Sequence, residues 1–149
     1  MTIAIDFDGT IVEHRYPEIG KEMFFALDTL KALKKDGHQL ILWSHRHGKC
    51  LDKAVEFCKQ NGLEFYAVNS NYPGEENDGN QSRKILADMY IDDRNFGGFP
   101  GWGVIYQSIT GITDGNEYWK KYNKMEKRSI GGILRIIINF FTKKESYQQ

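Results

Sequence analysis

Apolar residues fall in two rhythms along this chain. Short runs at 3–5, 39–43, 63–68 and 89–91 stop abruptly at polar residues, as buried strands do. Between them the spacing lengthens to the helical period. Met23, Phe24, Leu27, Leu30 and Leu33 share one face of a helix predicted over 21–36 and stopped by Gly37. Leu51, Ala54, Val55 and Cys58 share a face of a second helix over 49–60, with Gly62 beyond its end. A short helix is expected at 81–87 and a fifth strand at 103–106. Strands alternating with helices predict an α/β fold with a mostly parallel, right-handed central sheet of about five strands.

The last thirty residues follow another pattern. Ile130, Ile133, Leu134, Ile137, Ile138 and Phe141 form a helical stripe, widened by Ile136 and Phe140, that predicts a C-terminal amphipathic helix. The stripe is too short for a transmembrane segment. It fits a helix packed on the sheet, the contact of a homo-oligomer, or a helix lying on a membrane surface. The chain thus divides into a body, 1–117, and a helical extension, 118–149.

Charge sharpens that division. The net charge is zero, yet residues 1–118 carry 12 basic and 18 acidic side chains, whereas 119–149 carry 8 and 2. Self-complementary packing is the plainer reading of a basic tail on an acidic body, and an anionic partner the sharper one. With 149 residues, 40% of them hydrophobic and 27% charged, one globular domain with a real core is expected. Cys50 and Cys58 have neither the number nor the spacing of a zinc site or disulfide framework, which points to a reducing cytoplasm. The sequence opens directly in an acidic strand, without the pattern of a secretory leader.

The strand ends carry the candidate chemistry. Asp6 and Asp8 follow the first run, with Gly9 and Thr10 behind them. On a strand, residues two apart point the same way, so the two carboxylates would crowd one spot at the sheet's carboxyl edge. Mg2+, a hard ion taking oxygen ligands, would relieve that crowding; an acidic turn is the plain alternative. Ser44 and Arg46 follow the second run and Asp92 and Asp93 the fourth, and in a parallel sheet all three ends share an edge. Arg46 is expected to fork a substrate phosphate or carboxylate. His45 and His47 could donate to sugar hydroxyls, and Asn69, Asn71 and Asn95 are placed to line a pocket.

In this ordered set the sequence resembles the haloacid dehalogenase-like (HAD) phosphohydrolase superfamily. Asp6-Phe-Asp8-Gly9-Thr10 stands as motif one, Ser44 as motif two, Lys84 as motif three and Ile91-Asp92-Asp93 as motif four, over residues 1–106. The resemblance implies a Rossmann-like three-layer sandwich and a Mg2+-dependent phosphomonoester hydrolase acting on a small phosphorylated substrate. Asp6 would be the nucleophile, Asp8 the acid and base, and Ser44 a donor to the phosphoryl group. Lys84, or its neighbour Arg83, would be the cation beside it, with Gly9 and Thr10 facing the substrate. Asp6, the main-chain carbonyl of Asp8, Asp92 and Asp93 would hold the ion. Segments 11–20 and 69–80 are too short for a folded cap, so the site should be open, as in capless members. Two alternatives stand beside this reading. Ser44-His-Arg46 and Ile91-Asp-Asp-Arg94 look like the 3′-phosphatase half of polynucleotide kinase, although the acidic body disfavours nucleic acid. The other is a HAD-like scaffold with weak catalysis whose tail binds a partner or a membrane surface.

Overall fold

The computed structural model describes residues 1–76, 79 and 82–112. Contacts gather Met1–Ile109 into one compact unit and Thr110–Gln149 into a second. The C-terminal stripe and the charged stretch before it lie outside the described residues. No helix among the described residues is long and apolar enough to cross a membrane.

Four strands form the sheet of the first unit: β1 (Thr2–Ile5), β2 (Gln39–Leu42), β3 (Ala67–Val68) and β4 (Met89–Ile91). Their order is β3-β2-β1-β4 and every pair is parallel. Three helices accompany them: α1 (Ala26–Lys35) after β1, α2 (Gly48–Gln60) after β2, and α3 (Trp102–Thr110) after β4. Ile3, Ala4, Ile5, Leu40, Ile41 and Leu42 are all essentially inaccessible. A parallel strand covered on both faces needs such an unbroken apolar run. The fold is thus α/β with a parallel sheet, in the Rossmann-like manner.

Register turns this sheet into a platform. Ile5 lies beside Leu42 on one side and Ile91 on the other, and Leu42 beside Val68, so all four strands end at one level. The ladder runs one step further: the N–H groups of Asp6, Trp43 and Asn69 donate to Ile91, Ile5 and Leu42 at 2.9, 2.8 and 2.8 Å. The first residue past β1, β2 and β3 is therefore fixed by backbone bonds before any side chain acts. Strand order also reverses at β1, placing the crevice between β1 and β4, where α/β sheets bind ligands.

The helix predicted over 21–36 begins five residues late. Phe25 adopts a left-handed backbone, φ 64°, and Phe24 is 81% exposed, off the core face assigned to it. Residues 12–22 instead double back as a short return stroke. Val12 bridges Glu22 in antiparallel fashion, Glu13 N–H donates to Lys21 O at 2.7 Å and Met23 N–H to Ile11 O at 2.9 Å. The Glu22 carboxylate then accepts the Leu27 N–H at 3.2 Å, satisfying a donor the first turn of α1 would leave open. Gly20 is packed where a Cβ would lie 1.9 Å from Glu13 O, so the stroke closes only over a glycine.

The fifth strand expected at 103–106 is helix α3. Trp102, Ile105 and Tyr106 are buried at helical spacing, and the Trp102 indole N–H donates to Thr10 O at 2.9 Å. The short helix at 81–87 is absent over its described residues. Ile85 is buried against Ala4, Ile41 and Ala67, its carbonyl accepts the Tyr90 hydroxyl, and Leu86 N–H donates to Asn71 Oδ1 at 2.6 Å. Tertiary contacts supply those backbone partners, so helical bonds are not needed. The third run is strand only at Ala67–Val68. Cys58 is buried in α2, which pushes its thiol up to about 12; both cysteines are free.

Candidate functional site

Past Ile5 the chain leaves the strand. Phe7 O accepts the N–H groups of Ile11 and Val12 at 2.9 and 3.1 Å, and Gly9 turns the chain at φ +92°. The alternation that would have pointed Asp6 and Asp8 at one spot therefore does not apply. Asp6 instead gathers with Asp92 and Asp93, each offering a carboxylate oxygen within 4.8 Å of the others. Asp8 stands outside that trio and pairs with Arg46.

Thr10 ties the two halves of the acidic cluster together. Its hydroxyl donates to Asp6 Oδ2 at 3.2 Å and accepts the Asp93 N–H at 3.1 Å, while the residue is wholly buried. Gly9 is required by Asp93, whose Oδ2 would lie 2.3 Å from a Cβ there. Neither lines the cavity over the site, which corrects the expectation that they face the substrate. They brace the carboxylates. Gly9→Ala combines that clash with a backbone L residues rarely adopt, a cost on the order of 2–4 kcal/mol. The expected result is a clear fall in melting temperature together with weakened divalent-ion binding; a variant matching the parent in both would show that Asp93 moves aside freely.

Burial, chiefly, pushes the Asp6 carboxyl up to about 7, with Asp92 and Asp93 adding to the rise. Hydrogen bonds from the Phe7 backbone and the Thr10 hydroxyl partly oppose it. The carboxylate oxygens of Asp6, Asp92 and Asp93 suit Mg2+. Three such donors would hold the ion and leave the rest of its shell to water or a bound substrate.

Arg46 is the most enclosed charged residue among the described ones, at 1% exposed. Its Nε and Nη2 reach Asp8 Oδ2 and Oδ1 at 2.6 and 2.7 Å, a bidentate pair. Its other N–H groups go to carbonyls: Nη2 to Glu18 at 2.7 Å, Nη1 to Pro17 at 3.0 Å and to Cys50 at 3.5 Å. The Phe7 and Tyr16 rings lie 5.0 and 5.3 Å from the guanidinium carbon. All five donors are spent, so none is left for the substrate phosphate or carboxylate expected of this residue. The bond to Asp8 raises the guanidinium further above its ordinary range.

Ser44 lies where the sequence places it, past β2 and in the cavity wall. Its N–H donates to Asn69 Oδ1 at 2.8 Å and its hydroxyl accepts the Arg46 N–H at 3.2 Å, leaving the hydroxyl proton for another acceptor. Asn69 is held at φ 50° past β3 and also reaches Arg46 O at 3.4 Å. It buttresses the Ser44 loop and does not line the pocket. Asn71 is taken by Glu75 and Asn95 by Tyr90 O. Lys84 does not reach the cavity; its ammonium sits 5.1 Å from the centre of the Tyr90 ring. Arg83 and Arg94 line the wall in its place. Sequence reasoning assigned no part to His14, Tyr16 or Trp43, which complete the wall of a cavity of about 560 Å³. Their one signal was position: Trp43 is the residue past β2, and the other two sit on the stroke that follows the acidic turn.

The fold and site define an α/β protein whose parallel sheet presents a carboxylate cluster at its carboxyl edge. No protein-family model matches the chain, and no match was found among curated proteins. A solved structure of a conserved protein from Bacteroides thetaiotaomicron is 59% identical, covering 74% of this chain and 90% of that one with a TM-score of 0.70. This chain belongs to the family of that conserved protein.

Proposed function

We propose that this protein is a Mg2+-dependent phosphomonoester hydrolase of the capless HAD type, working through an aspartyl-phosphate on Asp6. The observation that carries the reading is the convergence of Asp6, Asp92 and Asp93 at the β1/β4 crevice, beneath an open cavity with Ser44 in its wall. Asp6, Asp92 and Asp93 would hold the ion, which when bound offsets the repulsion between carboxylate and phosphate. The Asp8 carbonyl remains a candidate ligand, since Arg46 engages only the side chain.

Asp6 attacks phosphorus as the bond to the leaving oxygen breaks, and that oxygen takes a proton from Asp8. A water then attacks the aspartyl-phosphate, gives its proton to Asp8, and releases inorganic phosphate and free Asp6. Ser44 donates to a phosphoryl oxygen throughout. Arg83 takes the role of nearby cation that Lys84 was expected to fill. The return stroke at 12–22 is too small to close the site, which leaves room for a large leaving group.

The test is release of phosphate from p-nitrophenyl phosphate, sugar phosphates, nucleotides and 3′-phosphorylated oligonucleotides, with Mg2+ and with a chelator. Turnover that requires the ion is expected on at least one of them. Absence of Mg2+-dependent release across the panel would remove the reading. Preference for the oligonucleotides, with steep salt dependence, would move it to nucleic-acid ends.

A further inference from the structure

The Arg46 fork has been spent inside the protein, and what it holds is the side chain the proposed reaction uses twice. We infer that Arg46 is a positioning residue, which fixes Asp8 for its proton transfers and ties the return stroke at 12–22 to the site, and that it does not bind substrate. The inference rests on the phosphohydrolase reading above.

Three elements meet at this guanidinium. Asp8 belongs to the turn after β1, the Pro17 and Glu18 carbonyls to the return stroke, and the Cys50 carbonyl to the first turn of α2. Bonds to all three, with the Phe7 and Tyr16 rings 5.0 and 5.3 Å from its carbon, hold the guanidinium in place. A carboxylate has about four lone-pair positions and the fork uses two, so Asp8 can still accept a proton while held. It is 11% exposed and lines the cavity, so a reacting water can reach it. The stroke that Arg46 anchors also carries His14 and Tyr16 into the cavity wall.

Arg46→Lys keeps the charge and loses the fork. Nitrophenolate leaves without a proton, so formation of the aspartyl-phosphate from p-nitrophenyl phosphate is spared. Hydrolysis of that intermediate is not, because the water must lose its proton to Asp8 as the new P–O bond forms and the Asp6–phosphorus bond breaks. With this substrate Asp8 starts as the carboxylate, and the proton it takes from the water in the second step passes to solvent before the next turnover. For this substrate kcat should fall about 10- to 100-fold, less than the roughly 100- to 10,000-fold that general acid–base catalysis contributes because Asp8 itself is retained, while kcat/KM stays within about threefold. Each enzyme should then release a burst of one nitrophenolate and accumulate phosphorylated Asp6. On an alkyl phosphate, whose leaving oxygen needs the proton, kcat/KM should fall as well.

A substrate-binding Arg46 would raise KM and lower kcat/KM on both substrates with no burst. A merely structural one would lower kcat and kcat/KM together as the folded fraction falls. Either pattern overturns the inference and leaves the phosphohydrolase reading standing, whereas a wild-type protein inactive on both substrates removes both. Should Arg46→Lys fail to fold, Phe7→Leu removes a ring beside the guanidinium at a residue that does not line the cavity. The same pattern is then expected to a smaller degree, and a proportional fall overturns the inference.

Discussion

Asparagine in place of Asp6 is expected to abolish Mg2+-dependent phosphate release while leaving the fold intact. The carboxamide has no anionic oxygen to attack phosphorus, and loss of a nucleophile costs at least about a thousandfold in kcat. The fold should survive because what surrounds Asp6 tolerates a neutral side chain. The Thr10 hydroxyl can donate to the amide oxygen as it does to Asp6 Oδ2, and the Asp6 N–H keeps its bond to Ile91 O. One of three crowded charges is also removed. Activity and melting temperature should therefore part company, with turnover gone and the unfolding transition unmoved or raised near neutral pH. Turnover above about one per cent of the parent would remove Asp6 as nucleophile, and so would a phosphorylated intermediate trapped on another residue.

The level at which strands stop explains why much of this site was legible in the sequence. Apolar runs bounded by carboxylates identify β1 and β4, and parallel register brings Ile5, Leu42, Val68 and Ile91 to one row. Asp6, Asp92 and Asp93 then converge without further information, and Ser44 arrives beside them. The residues after that row were misread for one reason. Strand periodicity does not extend into the turn at Gly9, so Asp8 and Thr10 could not be aimed by counting twos.

The internal bonds of Arg46 are not legible in the sequence, because a buried arginine and a substrate-binding one look alike there. Only the return stroke, with its Pro17 and Glu18 carbonyls, shows that the guanidinium is already full. Lys84 and Arg83 were indistinguishable for want of an element direction, since this stretch takes its conformation from Ile85 packing against β1, β2 and β3. Helix α3 was the avoidable miss. Trp102, Ile105 and Tyr106 have helical spacing, but Val104-Ile105-Tyr106 reads as β-branched and aromatic strand when taken alone.

Stability of the metal-free protein should fall as pH rises from about 4 to about 7, and Mg2+ should restore it at the upper end. The Asp6 carboxyl moves from an ordinary 3.8 to about 7 in the folded chain. Between those values the native state keeps a proton that the unfolded chain has released, so unfolding gains on folding as pH rises. Below the window both states are protonated and above it both are ionised, so the dependence vanishes at either end. That rise from 3.8 to about 7 corresponds to at most about 4 kcal/mol, and partial exposure reduces it to roughly 2–3 kcal/mol. Other groups titrate in the same range, so the informative quantity is the difference between wild type and Asp6→Asn, which removes this group alone. That difference should grow across the window and then level off. Mg2+ at a hundredfold excess over its dissociation constant adds about 2.7 kcal/mol, and at pH 7.5 it should stabilise wild type more than the variant, which has lost an anionic ligand. Parallel wild-type and variant curves from pH 4 to 7 would show that Asp6 is not held in its proton-bound form. An equal Mg2+ shift in both proteins would show that the Asp6 carboxylate does not hold the ion.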